Sequence, residues 1–305
     1  MARCFVTRRL PGDGLDRLAA VHEVEVWPGE LPPTPDELRG HVASATGLLS
    51  LLTDRIDAEL LDAAPGLEAI ANYAVGSDNI DLDAARERGI AVGTTPGALT
   101  DATADLAFGL ILAAARRLAE AHADVTAGNW RTWEPQGWLG LELAGATLAI
   151  VGAGRIGRAV ARRAEGFGMD VVLVGRGDDH VAALRRADVV SLHAPLTPET
   201  HHLIDAAALA SMKPTAVLVN TARGGLVDQA ALADALRAGA IAAAALDVTD
   251  PEPLAPDDPL LAAPNVLVVP HIGSATTQTR ARMADMAVDN LLAALAGQPM
   301  PHAAQ

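Results

Sequence analysis

Short apolar runs alternate with amphipathic ones along almost the whole chain. In the first third, apolar stretches of strand length fall at 2–7, 22–27, 47–52, 69–74 and 90–93, with helical runs between them. Short continuous apolar runs bounded by turn residues fit strands buried on both faces. Alternating β and α units predict a parallel sheet with helices on both sides. Thr34-Pro35-Asp36-Glu37 is a helix start signal, with a capping threonine, a proline at the first position and a capping-box glutamate. A second series begins at Thr147. Its strands are predicted at 147–151, 171–175, 188–193, 216–220, 241–248 and 266–270. Its helices include 156–166 and 179–186, and a last helix, 275–296, closes the chain.

Between the two series, 100–128 reads as one long helix. Thr100 can cap it, Asp101 and Asp105 suit its positive end, and Leu106, Leu110, Ile111 and Leu118 form its apolar face. Such a helix serves as a domain connector or dimer contact, or as a plain core helix. Trp130, Trp133 and Trp138 follow in a loop rich in glycine and proline. Three of the four tryptophans in one loop point to a buried interface.

The 305 residues suffice for two domains. The net charge of −15 and the absence of a basic run argue against nucleic acid as a partner. Lys213 is the only lysine, so an anion site must be built from arginine and backbone N–H groups. The longest apolar run, 106–115, is too short to span a membrane, so no membrane association is expected. The N-terminal stretch has no apolar signal core, and no export is expected. Cys4 is the only cysteine, which excludes an intrachain disulfide and fits a reducing cytoplasm. The histidines lack ligand spacing, and no metal site is expected.

The most informative stretch is Val151-Gly152-Ala153-Gly154-Arg155-Ile156-Gly157. It joins a predicted buried strand to a predicted helix and carries G-x-G-x-x-G in that context. Gly152 suits the tight turn, Gly154 lets backbone approach a pyrophosphate, and Gly157 lets the helix pack close to the sheet. The helix N-terminus then offers free N–H groups to phosphates. Loops after the first-series strands, at 51–53 and 75–78, lie at the carboxyl edge where such sheets bind ligands. On spacing alone, Val75-Gly76 is an ordinary turn.

Six motifs, spread over almost the whole chain, together resemble the D-isomer-specific 2-hydroxyacid dehydrogenases. They are Val75-Gly76-Ser77-Asp78-Asn79-Ile80-Asp81; Thr95-Pro96-Gly97 through Asp105; the glycine loop; Asn220-Thr221-Ala222-Arg223-Gly224-Gly225; Leu246-Asp247-Val248 through Pro251-Glu252-Pro253; and Pro270-His271-Ile272-Gly273-Ser274. The Leu246-Asp247-Val248-Thr249, His271–Thr276 and Gly297–Pro301 stretches are most similar to the glyoxylate/hydroxypyruvate reductases of that family. The resemblance implies an α/β fold of two doubly wound parallel-sheet domains. A Rossmann cofactor domain, 99–277, is inserted in a flavodoxin-like substrate domain, 1–98 with 278–305. The segment 175–188 has room for only one helix, so the family's third cofactor-domain strand, an edge strand, is expected to be missing.

The resemblance also implies the roles. A small 2-oxo acid would be reduced to the D-2-hydroxy acid with NAD(P)H in a homodimer. Arg223, Glu252 and His271 would form the catalytic set. Leu51, Val75 and Gly76, with Arg223 and His271, would hold substrate, the backbone N–H groups of Val75 and Gly76 taking its carboxylate. Cofactor contacts would come from Thr103, Gly152, Gly154, Arg155, Ile156, Gly157, Gly175, Arg176, His193, Ala194, Pro195, Thr200, Thr221, Ala222, Arg223, Asp247, His271 and Gly273. The chemistry agrees. An arginine fork can hold a carboxylate and polarise a carbonyl. A histidine titrates near neutrality and can donate the proton, and a glutamate beside it orients the ring and favours its charged form. Singly, each of the three also fits a surface or loop role. At the end of the second cofactor strand, Gly175 replaces the carboxylate that holds an NAD ribose, and Arg176 follows it. That favours NADPH over NADH, although Asp178 and Asp179 lie close in sequence. Phosphoglycerate dehydrogenase and a dinucleotide-sensing scaffold of the corepressor type are the alternatives. Formate dehydrogenase is disfavoured, because that subgroup has glutamine in place of Glu252.

Overall fold

The computed structural model describes residues 1–304. They form two compact units, one of Met1–Leu99 with the chain from Ser274 onward, the other of Thr100–Gly273. No helix among the described residues is long and apolar enough to cross a membrane.

The first unit alternates β1 (Arg3–Val6), α1 (Gly14–Ala19), β2 (Glu23–Val26), α2 (Pro35–Val42), β3 (Gly47–Ser50), α3 (Ala58–Asp62), β4 (Ala69–Asn72), α4 (Leu82–Glu87) and β5 (Ala91–Gly93). All pairings are parallel, in the order β2-β1-β3-β4-β5. This is the flavodoxin-like order. Thr34 forms the predicted capping box with Glu37. β3 and β4 are buried along their whole length. Two apolar layers cover the sheet, one around Leu48, Ile56 and Ile70, the other around Val6, Leu49 and Leu291.

The second unit opens with a pair of helices. The expected single helix over 100–128 is two helices, α5 (Thr100–Ala115) and α6 (Leu118–Thr126). Arg117 between them takes a left-handed φ of 53°. The cause is tertiary: the N–H of Leu141 donates to the carbonyl of Ala115 at 2.8 Å, where a continuing helix would place its own N–H. Leu118 accordingly leaves the predicted apolar face and is exposed. Then follow β6 (Thr147–Val151), α7 (Arg155–Gly166), β7 (Asp170–Val174), α8 (His180–Arg186), β8 (Val189–Leu192), α9 (Ala206–Ser211), β9 (Val217–Asn220), α10 (Gln229–Arg237), β10 (Ala243–Leu246) and β11 (Val266–Val268). The strand order is β11-β10-β9-β8-β6-β7. β7 is an edge, and among the described residues no strand lies beyond it where the Rossmann order places a third, as the shortened 175–188 segment requires. The chain then returns to the first unit as α11 (Thr277–Leu295).

Candidate active site

The ligand edge of the second unit is the carboxyl edge of its sheet. β6 delivers the chain to Gly152, whose φ of 106° is open to glycine. A Cβ there would stand 2.4 Å from the carbonyl carbon of His193. Gly154 is the N-cap of α7 and supplies no side chain to it. The first N–H groups of this twelve-residue helix therefore have no side-chain acceptor, which fits a pyrophosphate. Arg155, Ile156 and Gly157 form its first turn.

β7 ends at Val174, and Gly175 and Arg176 follow. The Asp178 carboxylate turns back and accepts from the Gly175 N–H at 2.7 Å. Asp179 is used as the cap of α8. The Thr197 hydroxyl foremost, and more weakly the charge of Arg176, hold the Glu199 carboxyl below its usual range. His193, Ala194 and Pro195 follow β8. His193 Nε2 lies 2.8 Å from Ser191 Oγ, and burial pushes its ring down to about 4. Thr200 Oγ1 donates to the Pro195 carbonyl at 2.7 Å and closes this loop.

β9 ends in the buried Asn220. Its side-chain oxygen accepts from the Ala222 N–H at 3.0 Å, and its NH2 donates to the Arg223 carbonyl at 2.8 Å. One asparagine thus fixes the whole Thr221-Ala222-Arg223 turn. Arg223 Nη1 donates to the Ala222 carbonyl at 2.8 Å. The Thr221 hydroxyl is buried and has no partner among the described residues. Gly224 lets this turn touch the loop after β10, since a Cβ there would lie 2.0 Å from the Thr249 backbone.

That loop carries Glu252. Its Oε1 accepts from the Thr249 N–H at 3.1 Å, and its Oε2 lies 2.8 Å from His271 Nδ1. His271 follows β11 at a left-handed φ of 52°. Asp247, at the end of β10, holds that conformation. Its backbone carbonyl accepts from His271 N–H at 2.9 Å, and its carboxylate accepts from the N–H groups of Ile272 at 2.6 Å and Gly273 at 2.8 Å. Burial raises the Asp247 carboxyl, opposed by the Ile272 N–H and the charge of His271. Thr103 Oγ1 donates to the Gly273 carbonyl at 3.2 Å. Each carboxylate oxygen of Asp247, which the resemblance places among the cofactor contacts, thus accepts one hydrogen bond from the histidine turn. With Nδ1 on a carboxylate, the ring's other nitrogen, Nε2, is left for a substrate.

Arg223, Glu252 and His271 therefore come from the loops after β9, β10 and β11, three adjacent strands. Asn220, Thr249 and the positioning task of Asp247 were missed from sequence. An asparagine ending an otherwise apolar strand was the available signal. Leu51, Val75 and Gly76 belong to the first unit, after β3 and β4. There the N–H groups of Val75 and Gly76 donate to no group among the described residues. No cluster of three His, Cys, Asp or Glu suited to a metal occurs among the described residues.

Residues 108–273 match the profile of the D-isomer specific 2-hydroxyacid dehydrogenase, NAD binding domain. A glyoxylate reductase of Korarchaeum cryptofilum is 48% identical, the match covering 98% of this chain and 95% of that protein. The TT0316 protein of Thermus thermophilus is 53% identical over 99% of this chain and 100% of its own, with a TM-score of 0.94. An NADPH-dependent glyoxylate/hydroxypyruvate reductase of Sinorhizobium meliloti, solved with NADP and malonate, is 33% identical over 99% of this chain and 96% of its own, with a TM-score of 0.85. The chain is an oxidoreductase with a nicotinamide-dinucleotide domain and belongs to the D-isomer-specific 2-hydroxyacid dehydrogenase family.

Proposed function

We propose that this protein reduces a small 2-oxo acid, glyoxylate or hydroxypyruvate, to the D-2-hydroxy acid with NADPH. The observation that carries the reading is the His271 Nδ1–Glu252 Oε2 contact of 2.8 Å, on a turn clamped by Asp247. The Gly152–Gly157 turn and the first N–H groups of α7 would hold a dinucleotide, whose dihydronicotinamide would supply the hydride for the carbonyl carbon. Arg223 holds the substrate carboxylate and polarises the carbonyl with its guanidinium. His271 delivers the proton from Nε2 to the carbonyl oxygen, so one C–H and one O–H bond form in each turnover. Glu252 keeps the other ring nitrogen occupied and the ring in place. The N–H groups of Val75 and Gly76 take the carboxylate from the first unit, and 99–277 serves as the cofactor domain.

The glyoxylate reductases at 48% and 45% identity support the substrate class. An intact Arg223, Glu252 and His271 set favours a reductase over a sensing scaffold. Arg176 is the proposed partner of the 2′-phosphate. Asp178 and Asp179 are both engaged with backbone N–H groups, which leaves the Arg176 guanidinium as the cationic group that follows β7. Exposed tryptophans on the second unit support a homodimer. The test is a substrate panel with both cofactors, followed at the dihydronicotinamide absorbance. Turnover of glyoxylate and hydroxypyruvate with NADPH is expected, and the NADPH-to-NADH ratio of kcat/KM should fall in Arg176→Ala. No turnover of any 2-oxo acid would refute the reading. An unchanged ratio would remove Arg176 as the selector.

A further inference from the structure

The first unit holds a buried polar network that the mechanism above does not use. Asn72 is fully buried at the end of β4. Its oxygen accepts from Ser50 Oγ at 3.2 Å. Its NH2 donates to the Gly76 carbonyl at 3.0 Å and to Asn79 Oδ1 at 2.9 Å. Asn79 in turn donates to the carbonyls of Leu51 at 3.0 Å and Asp54 at 2.9 Å. The Asp54 carboxylate closes the circuit by accepting from the Leu51 N–H at 2.7 Å and from the Thr7 hydroxyl. Both asparagine side chains are therefore tied at both ends, and they join the loop after β3 to the loop after β4.

The peptide geometry gives this network a consequence. A trans peptide is planar, with its C=O and N–H pointing opposite ways. The Ala74 carbonyl is held by the Thr95 N–H at 2.8 Å, which turns the Val75 N–H the other way. The Gly76 carbonyl is held inward by Asn72, which turns the Ser77 N–H outward. The N–H groups of Val75, Gly76 and Ser77 donate to nothing among the described residues. Successive free N–H groups of this kind make an anion-binding concavity. We propose that Asn72 and Asn79 are positioning residues that aim this cradle at the substrate carboxylate and extend it to Ser77. The proposal rests on the reading that Val75 and Gly76 take that carboxylate.

Misplacing a binding group by an ångström can cost on the order of 100-fold. Asn79→Ala keeps part of the network, because Asn72 still holds Gly76. Its KM for glyoxylate should rise about tenfold, with kcat within about threefold and NADPH affinity unchanged. A merely structural defect lowers the active fraction, hence kcat, and leaves KM alone. Ser50→Ala removes one contact and is mild enough to fold. Its KM should rise about two- to threefold, in the same direction. Gly76→Pro deletes one cradle N–H and leaves both asparagines in place. If Gly76→Pro raises KM and folded Asn79→Ala does not, the positioning role is overturned while the carboxylate reading stands. If Gly76→Pro leaves KM unchanged, the carboxylate reading fails and the positioning role falls with it. If Asn79→Ala does not fold, an unchanged KM in Ser50→Ala overturns the proposal.

Discussion

At the scale of single residues, the site depends on side chains that hold other groups still. His271 sits in a backbone region that costs a non-glycine residue roughly 1 kcal/mol or more. Three hydrogen bonds that Asp247 accepts from this turn offset that cost. Removing the ring should spare the scaffold and take away the proton. His271→Ala should therefore bind NADPH nearly as wild type and lose roughly 10²- to 10⁴-fold in kcat. Cofactor fluorescence titration and steady-state rates check this, and a variant keeping more than half of wild-type turnover refutes the role. His193 makes a different prediction. Burial lowers its ring from the ordinary 6.5 to about 4. The folded state therefore resists protonation that the unfolded chain accepts. Between about pH 6.5 and 4 the unfolded state holds more protons, so stability falls as the pH drops through that window. Urea midpoints across this range should fall more steeply in wild type than in His193→Gln. Parallel curves would show that the ring contributes nothing to the acid limb.

At the scale of elements, the sheets were legible because their inner strands are largely apolar on both faces. Ala69–Asn72 and Val189–Leu192 are buried throughout, and no other structure accommodates such runs as simply. The G-x-G-x-x-G turn was legible because it needs glycine where the structure has a φ of 106°. The break between α5 and α6 was not. Ala115-Arg116-Arg117-Leu118 contains no helix breaker, and the interruption comes from Leu141, more than twenty residues on. The proposed catalytic set was legible only as a pattern of motifs. The task of Asn220, which fixes the Arg223 turn, was not legible, because an asparagine closing an apolar strand does not say which carbonyl it will meet. The end of the chain makes the same point. Residues 302–304 pair antiparallel to β5, with Thr94 N–H on the His302 carbonyl at 2.9 Å and Ala304 N–H on the Val92 carbonyl at 2.8 Å. The fully buried Asn290 of α11 joins both sides, donating to the Thr94 carbonyl and accepting from the His302 N–H, each at 2.9 Å. Asn290→Ala leaves two buried backbone groups unpaired and should destabilise the fold by about 2–3 kcal/mol. Denaturant unfolding measures this, and a loss under about 0.5 kcal/mol would mean that water or a local shift replaces the amide.

At the scale of the whole molecule, charge and exposed apolar surface oppose each other. The chain carries −15 at neutral pH, so two copies repel one another. Against this, Trp130 is 71% exposed, Trp133 79% and Leu139 68%. Trp138 packs its ring against the Arg117 guanidinium, 5.0 Å away, which fixes the base of that loop. Beside it, Leu139 and Leu141 border a groove of about 350 Å³ that reaches Ala114, Thr215, Ala243 and Asn265. A loop of tryptophans next to an apolar groove on the same unit suits a self-complementary contact, in which each copy's loop enters the other's groove. Aromatic side chains of this kind carry most of the energy of such interfaces. The protein should sediment as a dimer at about 0.15 M salt. The dimer should weaken as salt is lowered, because screening of the mutual repulsion is lost, whereas an interface built on ion pairs would strengthen. Trp130→Ser combined with Trp133→Ser should give a monomer whose circular dichroism matches wild type. A wild-type protein that stays monomeric at high concentration, or a double variant that stays dimeric, would assign these tryptophans another task.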